Sequence, residues 1–373
     1  MIVTKLELKN FRNFKDKLLK FSPYVNFIVG PNASGKSNIL ESLFVLSTGK
    51  SFRARIEEEM INYYEEITRI KGSIVKEEGG KRVGTNLEVI ITRGEITVGA
   101  NPRKISKVTR KKLLLNGVSK KLFDFTGNLK VVLFGPWDLE LVTEEPSKRR
   151  KFLDTVLSQV DREYRRALLS YEKGLRQRNR LLWRIREEGI SRTQLLFWNQ
   201  LLIKNGDYLS GKRREFIEFA NKSEIPILKS DINGRFSLEY DPSAISEARL
   251  NQYAEEEVAA ASTLVGPHRD DMIFKIKNQK TSAGKKEREL ARYGSRGEQR
   301  MGVLWLKLAE LSYIESVTKE KPTLLLDDIF SELDHEHRDI VFEATKGQQT
   351  IITTADPHYV ERFEKVEKIK LKV

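Results

Sequence analysis

The chain has 373 residues, with 67 Lys or Arg against 53 Asp or Glu, a formal charge of +14 and no cysteine. That length fills one large domain or two moderate ones. The missing cysteines exclude disulfides, thiol nucleophiles and thiolate metal sites, and no stretch approaches the roughly 18 apolar residues of a membrane span.

The first segment, MIVTKLELKNFRNF, alternates apolar and polar residues as a half-buried strand does and lacks the apolar core of a signal peptide. A cytoplasmic protein is therefore expected. VNFIV at 25–29 reads as a buried strand, and it runs into GPNASGKSN at 30–38. Gly30, Gly35, Lys36 and Ser37 satisfy G-x-x-x-x-G-K-S/T. In that pattern glycines let backbone N–H groups close around a phosphate, Lys36 reaches the β/γ oxygens of ATP, and Ser37 ligates Mg²⁺. Residues from Asn38 to Leu46 have helical apolar spacing, giving the strand, loop and helix order that aims a helix N-terminus at an anion. Gly30, Asn32, Gly35, Lys36, Ser37 and Asn38 are the expected nucleotide contacts, with Arg12 touching phosphates from just ahead of the strand.

Basic residues follow in three groups. Lys50 and Arg53 come after the loop helix, Arg103 and Lys104 lead a cluster over 101–112 that reads as a flexible insertion, and Lys148, Arg149, Arg150 and Lys151 stand at the base of a helical region. With no base-reading motif, these predict DNA binding dominated by backbone charge, although a Lys-, Glu- and Arg-rich composition is also a thermophile's route to stability.

From Leu157 apolar residues recur every three or four positions, and after REEGISRT a second such set runs from Leu195 to Phe219. Two amphipathic helices of about 30 residues predict an antiparallel hairpin roughly 45 Å long. Arg162, Arg165, Arg166, Arg176, Arg178 and Arg180 stud its first helix, either as a solvated ion-paired face or as a phosphate-tracking one. Residues 222–261 are uninformative, and GPHRDD at 266–271 suggests no mechanism of its own.

Ser295-Arg296-Gly297-Glu298-Gln299 forms a polar turn ahead of Met301, Leu304, Leu308 and Leu311 on one helical face. This is either a capped helix start or an anion-binding turn. TLLLDD at 323–328 then ends a buried strand in two acids, followed by SELD. Asp327 can hold Mg²⁺ through water while Asp328 orients or deprotonates the attacking water. Roughly 290 residues separate this strand from the phosphate loop, so the chain must leave the nucleotide fold and return.

A phosphate loop, a distant strand with paired acids, an SELD turn and an SRGEQ turn resemble the heads of ABC and SMC ATPases. The closer resemblance is to the RecF family, through LKNFRNF, GPNASGKSNILESL, TGKSFRAR, EEPSKRRKFLD, LRQRNRLL, VGPHRDD and LLLDDIFSELD in that order. It implies an α/β head built from both ends of the chain, 1–150 and 262–373, with an inserted helical arm over 151–261. It further implies an ATP- and Mg²⁺-dependent homodimer on DNA in which Ser295 and Gly297 meet the partner's γ-phosphate and Asp334 lies on the dimer-crossing loop. Slow, DNA-dependent ATP hydrolysis, repair of single-strand gaps with RecO and RecR to load RecA, and a nucleoid location are implied too. The sequence departs from the wider pattern: no glutamine loop precedes Pro136, Thr353 and Thr354 stand where a switch histidine is expected, and Glu298 replaces a more usual Gln. An SMC-like chromosome-tethering ATPase and an ABC transporter ATPase subunit are the alternative readings.

Overall fold

In the computed structural model, which describes residues 1–97, 105–228, 232–277, 287–363 and 366–371, the chain falls into two compact units: Met1–Asp138 with Ile314–Val373, and Leu139–Tyr313.

The first unit opens with β1 (Ile2–Phe11), β2 (Phe14–Lys20) and β3 (Val25–Val29), then α1 (Lys36–Thr48), β4 (Ile67–Glu78), β5 (Lys81–Thr92), β6 (Lys111–Leu115), β7 (Val118–Lys120) and β8 (Val131–Phe134). Six of these strands make an antiparallel sheet in the order β2-β1-β4-β5-β6-β7. β1, irregular between Val3 and Lys5, buries Val3, Leu6, Leu8 and Phe11, which join Ile39, Leu40 and Leu43 of α1 in one core. The basic stretch at 101–112 is only partly an insertion. Arg103 and Lys104 lie outside the described residues, whereas Ile105–Lys107 is a strand and Lys111 and Lys112 pair with Ile91 and Ile90 inside the large sheet. Apolar Leu113, buried on the inner face, is what anchors that end.

The second unit contains α2 (Pro146–Val160), α3 (Arg162–Glu188), α4 (Leu196–Lys222), β9 (Phe236–Asp241), β10 (Asp271–Lys277), β11 (Glu287–Glu289) and α5 from Arg296 as far as Tyr313. The expected long first helix is broken at Asp161. This residue leaves helical geometry at φ −123° and its carboxylate accepts the N–H groups of Glu163 and Tyr164, capping α3. At 27 residues each, α3 and α4 are about 40 Å long. β10 pairs with β9 through residues 271–276 and packs on α2, tying this strand to the helices.

Charges inside this unit are consumed internally. Arg178, expected on the exposed arginine row, is 2% exposed and donates to Asn199 Oδ1, to Thr263 Oγ1 and, at 2.6 Å, to Glu257, itself fully buried. The GPHRDD segment forms a second network. Asp270, fully buried, accepts from Arg213 at 2.9 Å, from Tyr240 and from Ser243 N–H, while Arg213 also donates to Asp154 and to the Pro267 carbonyl. His268 sits between the Tyr171 hydroxyl at 2.8 Å and the Thr263 carbonyl at 3.0 Å. Burial outweighs the Thr263 hydrogen bond and pulls its pKa down to about 4.

The chain returns to the first unit with β12 (Thr323–Asp327), α6 (His335–Thr345), β13 (Thr350–Thr354) and β14 (Val366–Lys370). With β3 and β8 they form a parallel sheet in the order β8-β12-β13-β3-β14. β3, β12 and β13 are buried at every position, as strands covered on both faces must be. α1 packs against this sheet as well as against β4 and β5. No helix among the described residues is long and apolar enough to cross a membrane.

Two outcomes follow from the buried charges. Glu257→Ala should cost about 3 kcal/mol or more in chemical denaturation, because it strands Arg178, while Arg178→Met with Glu257→Leu should lose less than either single change. His268 has a folded pKa below its unfolded 6.5, so the unfolded chain takes up its proton first and stability falls as pH drops from 6.5 towards about 4. Denaturation of His268→Gln over that window should show a shallower pH dependence than the wild type.

Candidate nucleotide-binding site

β3 ends at Val29, and the loop Gly30–Gly35 turns directly into α1. Gly35 adopts φ +94°, and a Cβ there would lie 2.7 Å from the Asn13 amide and from Phe14. A Cβ on Gly30 would fall 2.8 Å from Ser34 Oγ. Neither position has room for a side chain, so the loop needs glycine at both. Lys36 is nearly buried, its ammonium donating to the carbonyls of Gly30 at 2.8 Å and Pro31 at 2.9 Å, so the cation lies over the loop. Asn32 is exposed at the loop's crest. Ser34 Oγ is buried and makes no hydrogen bond, an unusual condition for a hydroxyl and one that a phosphate oxygen would relieve.

Ser37 Oγ donates to Asp327 Oδ1 at 2.9 Å, joining residues 290 apart in the chain. Thr353 Oγ1 donates to the same oxygen at 2.5 Å and accepts the N–H of Asp328 at 3.1 Å. Asp328 follows the buried strand with φ +48°, its N–H also directed at the Thr353 carbonyl. This left-handed geometry is costly for a residue with a side chain and is held by Thr353 and by Ser331, whose hydroxyl donates to the Asp328 carbonyl. Thr353 had no role at the sequence level beyond standing where a histidine was expected. Its β-branched hydroxyl, buried at a strand end, reads as core in one dimension.

Arg12 (φ +53°) and Arg53 converge on Glu41 of α1. Arg12 binds both carboxylate oxygens, at 2.9 and 2.6 Å, Arg53 lies 2.8 Å away and also bonds Asn38, and Ser51 donates at 2.6 Å. Burial alone would raise the pKa of Glu41, but hydrogen bonds from Arg12, Arg53 and Ser51 outweigh it and hold the carboxylate below its usual range. Two arginines around one acid leave net positive charge beside the phosphate loop. An open cleft of about 760 Å³ lies there, lined by Arg12, Arg53 and Arg93, by the acids Glu58 and Glu59, and by Asn13, Asn38, Ile56, Ile61 and Tyr63. Arg53, expected at DNA, is thus placed with Arg12 and Asn38. Glu41 was missed, although a lone acid within the apolar run ILESLFVL was the available signal.

Ser295 begins α5 in a capping box: its hydroxyl accepts the Glu298 N–H at 3.3 Å while Glu298 Oε2 accepts the Ser295 N–H at 2.9 Å. A Cβ on Gly297 would meet nothing within 4 Å. Asp334 caps α6, accepting the His337 N–H at 3.0 Å. Of the other expected DNA residues, Lys50 is exposed and Lys148 pairs with Glu140 at 2.7 Å on the surface. Arg149 is 11% exposed and binds Asp271 through both Nε and Nη2, and Arg150 donates to the Asp270 carbonyl. These last two arginines fasten α2 to the neighbourhood of β10.

The sequence profile of the family described as RecF/RecN/SMC N terminal domain matches residues 2–372. The DNA replication and repair protein RecF of Lachnoclostridium phytofermentans is 36% identical over 359 residues, covering 95% of this chain and 92% of that protein. The protein of the same name from Thermomicrobium roseum is 36% identical, covering 91% and 89%. A solved structure of the recombination mediator RecF-ATPrS in the RecFOR pathway superposes with a TM-score of 0.81 at 30% identity, over 98% of this chain and 95% of that one. The Smc head domain of Pyrococcus furiosus shares the fold alone, with a TM-score of 0.53 at 17% identity over 100% and 94% of the two chains. The expected ABC/SMC-type α/β fold is thus observed, and the chain belongs to the RecF family of DNA replication and repair proteins.

Proposed function

We propose that the chain is an ATP-driven DNA clamp whose two copies close head to head around ATP. The observation that carries this reading is the 2.9 Å contact between Ser37 and Asp327, which brings the phosphate loop and the paired acids together from distant parts of the sequence. The residues present fit the nucleotide: Gly30 and Gly35 let the loop close tightly ahead of α1, Ser34 has an unsatisfied hydroxyl, and an open cleft lies beside Arg12 and Asn38. They fit Mg²⁺ too, since Ser37 and Asp327 present adjacent hard oxygens. That ion would neutralise phosphate charge during transfer to water.

In this reading Lys36 leaves the Gly30 and Pro31 carbonyls for the β/γ-phosphates, Gly30, Asn32, Gly35 and Asn38 surround them, and Arg12 adds a cation held in place by Glu41. Ser37 and Asp327 would hold the metal. Asp328 orients or deprotonates the attacking water, its backbone fixed by Thr353. Ser295 and Gly297 of each copy complete the other's site, and Asp334 lies on the loop that crosses between them. The functional head then draws on 1–150 and 262–373, with 151–261 as arm. Hydrolysis is slow and DNA-dependent and serves release.

DNA is gripped through its phosphates by exposed cations, Lys50 and Lys148 foremost, with Arg103 and Lys104 contributing; Arg149 and Arg150 shape the scaffold beneath. The formal charge of +14 supports this. The relatives' role in DNA replication and repair, and the RecFOR pathway of the solved neighbour, support action in recombinational repair, which this reading places at single-strand gaps in the cytoplasm and nucleoid. In this reading the clamp works there with RecO and RecR to load RecA.

Sedimentation with and without Mg-ATP, alone and with gapped duplex, tests the reading in an Asp328→Asn background that slows turnover. A shift from monomer to dimer that tightens on DNA is expected. Lys36→Met should abolish ATP binding, while Ser295→Arg should keep ATP and lose the dimer; a dimer that survives Ser295→Arg sinks the reading. Thr353→Val should raise the Mg²⁺ concentration needed for half-maximal hydrolysis by about tenfold, and Thr353→Ser should restore it, whereas a purely structural threonine would change melting temperature alone. DNA affinity should fall at least about tenfold between about 50 and about 200 mM salt.

A further inference from the structure

The turn that begins α5 carries a charge for which the reading above has no use. Glu298 stands one helical turn beyond Ser295 and shares the capping box with it, so its carboxylate lies beside the hydroxyl proposed to meet a γ-phosphate. An unpaired carboxylate there would repel that phosphate. Its second oxygen, however, lies 2.5 Å from Arg235 Nη2.

Arg235 is placed by the fold rather than by the turn. It immediately precedes β9; its N–H is held by the Ile232 carbonyl at 3.0 Å and its carbonyl by the Lys277 N–H at 2.9 Å. The guanidinium lies 5.8 Å from the Phe236 ring centroid, and its Nε is buried without a hydrogen bond. Both partners of the pair are about a third exposed or less, at 29% and 31%. A cation anchored to the β9–β10 ladder therefore reaches the SRGEQ turn, the signature turn of the head-to-head reading, and occupies the oxygen of Glu298 that the capping box leaves over.

We propose that Arg235 is a positioning residue for the signature turn: by neutralising Glu298 and keeping it within the capping box, it lets Ser295 approach a phosphate bound by a second copy. This rests on the head-to-head reading. Capping alone does not need the charge, since a Gln at this position makes the same box. The charge of Glu298 is what gives the arginine its role.

Dimerisation of Arg235→Met, Glu298→Gln, the double variant and Ser295→Arg, each in the Asp328→Asn background, is measured by sedimentation with Mg-ATP, alongside melting of the nucleotide-free proteins. Arg235→Met should weaken the dimer about tenfold or more, as expected for an uncompensated charge near a polyanion in a partly screened site. Glu298→Gln should dimerise at least as well as wild type, and the double variant should recover wild-type affinity. A double variant as weak as Arg235→Met, or an Arg235→Met dimer of wild-type affinity while Ser295→Arg abolishes it, overturns this inference and leaves the head-to-head reading standing. A Ser295→Arg dimer, or a wild type that stays monomeric with Mg-ATP, removes that reading and this inference together. Should Arg235→Met melt too low to assay, Arg235→Lys serves: it keeps the charge and should dimerise as wild type, and a loss as large as that of Ser295→Arg overturns the proposal.

Discussion

The register of three parallel strands governs the chemistry of the first unit. β13 lies between β12 and β3, with Thr353 opposite Asp327 on one side and Thr354 opposite Val29 on the other. All three strands therefore end at one edge of the sheet, where the phosphate loop, Asp328 and Thr353 emerge together. Ligand sites of open α/β sheets form at such carboxyl edges, because the helix following a strand points its N–H groups there. A shift of one residue in β12 would turn Asp327 to the opposite face of the sheet and separate it from Ser37. Every role proposed for Lys36, Ser37 and the two acids depends on that alignment.

Buried ion pairs carry much of the remaining organisation. Glu41 gathers Arg12 and Arg53 beside the loop, Glu257 takes Arg178 out of the α3 surface, and Asp270 with Asp154 holds Arg213 between helices and sheet. Placing such charges away from water is expensive, and removing one partner costs more than the pair contributes, so each cluster enforces one arrangement of its elements. The same logic extends to the surface of the signature turn, where Arg235 and Glu298 balance one another. For a chain of strong positive charge this separates two kinds of arginine: those that fasten the scaffold, and those left to meet phosphate.

Much of the site was legible in one dimension. The phosphate loop has a fixed spacing because a backbone cradle needs glycines at set intervals, and the paired acids announce themselves by following a buried run. The long helices were legible from their apolar period, but the break at Asp161 was not, since a capping acid in a charged helix leaves the period undisturbed. The basic stretch after residue 100 read as an insertion, yet 111–115 is a sheet strand, because pairing with β5 buries Leu113 whatever its lysine neighbours suggest.

The sequence by itself determined the glycine-rich loop, the acid-tipped strand and the two-helix hairpin, all of them local patterns whose physical meaning lies within a few residues, and the fold class through its resemblance to a known family. Only the tertiary structure decided which charges remain available. Arg53, Arg149, Arg150 and Arg178 look alike in a string of letters, yet one joins Glu41 beside the phosphate loop, two fasten α2 to β10 and its flank, and one is sealed against Glu257. Thr353 and Arg235 likewise acquire meaning only from partners at least 25 residues away. The reason is that a buried charge or hydroxyl is defined by its partner, and partners are chosen by strand register and helix packing, which no single segment records.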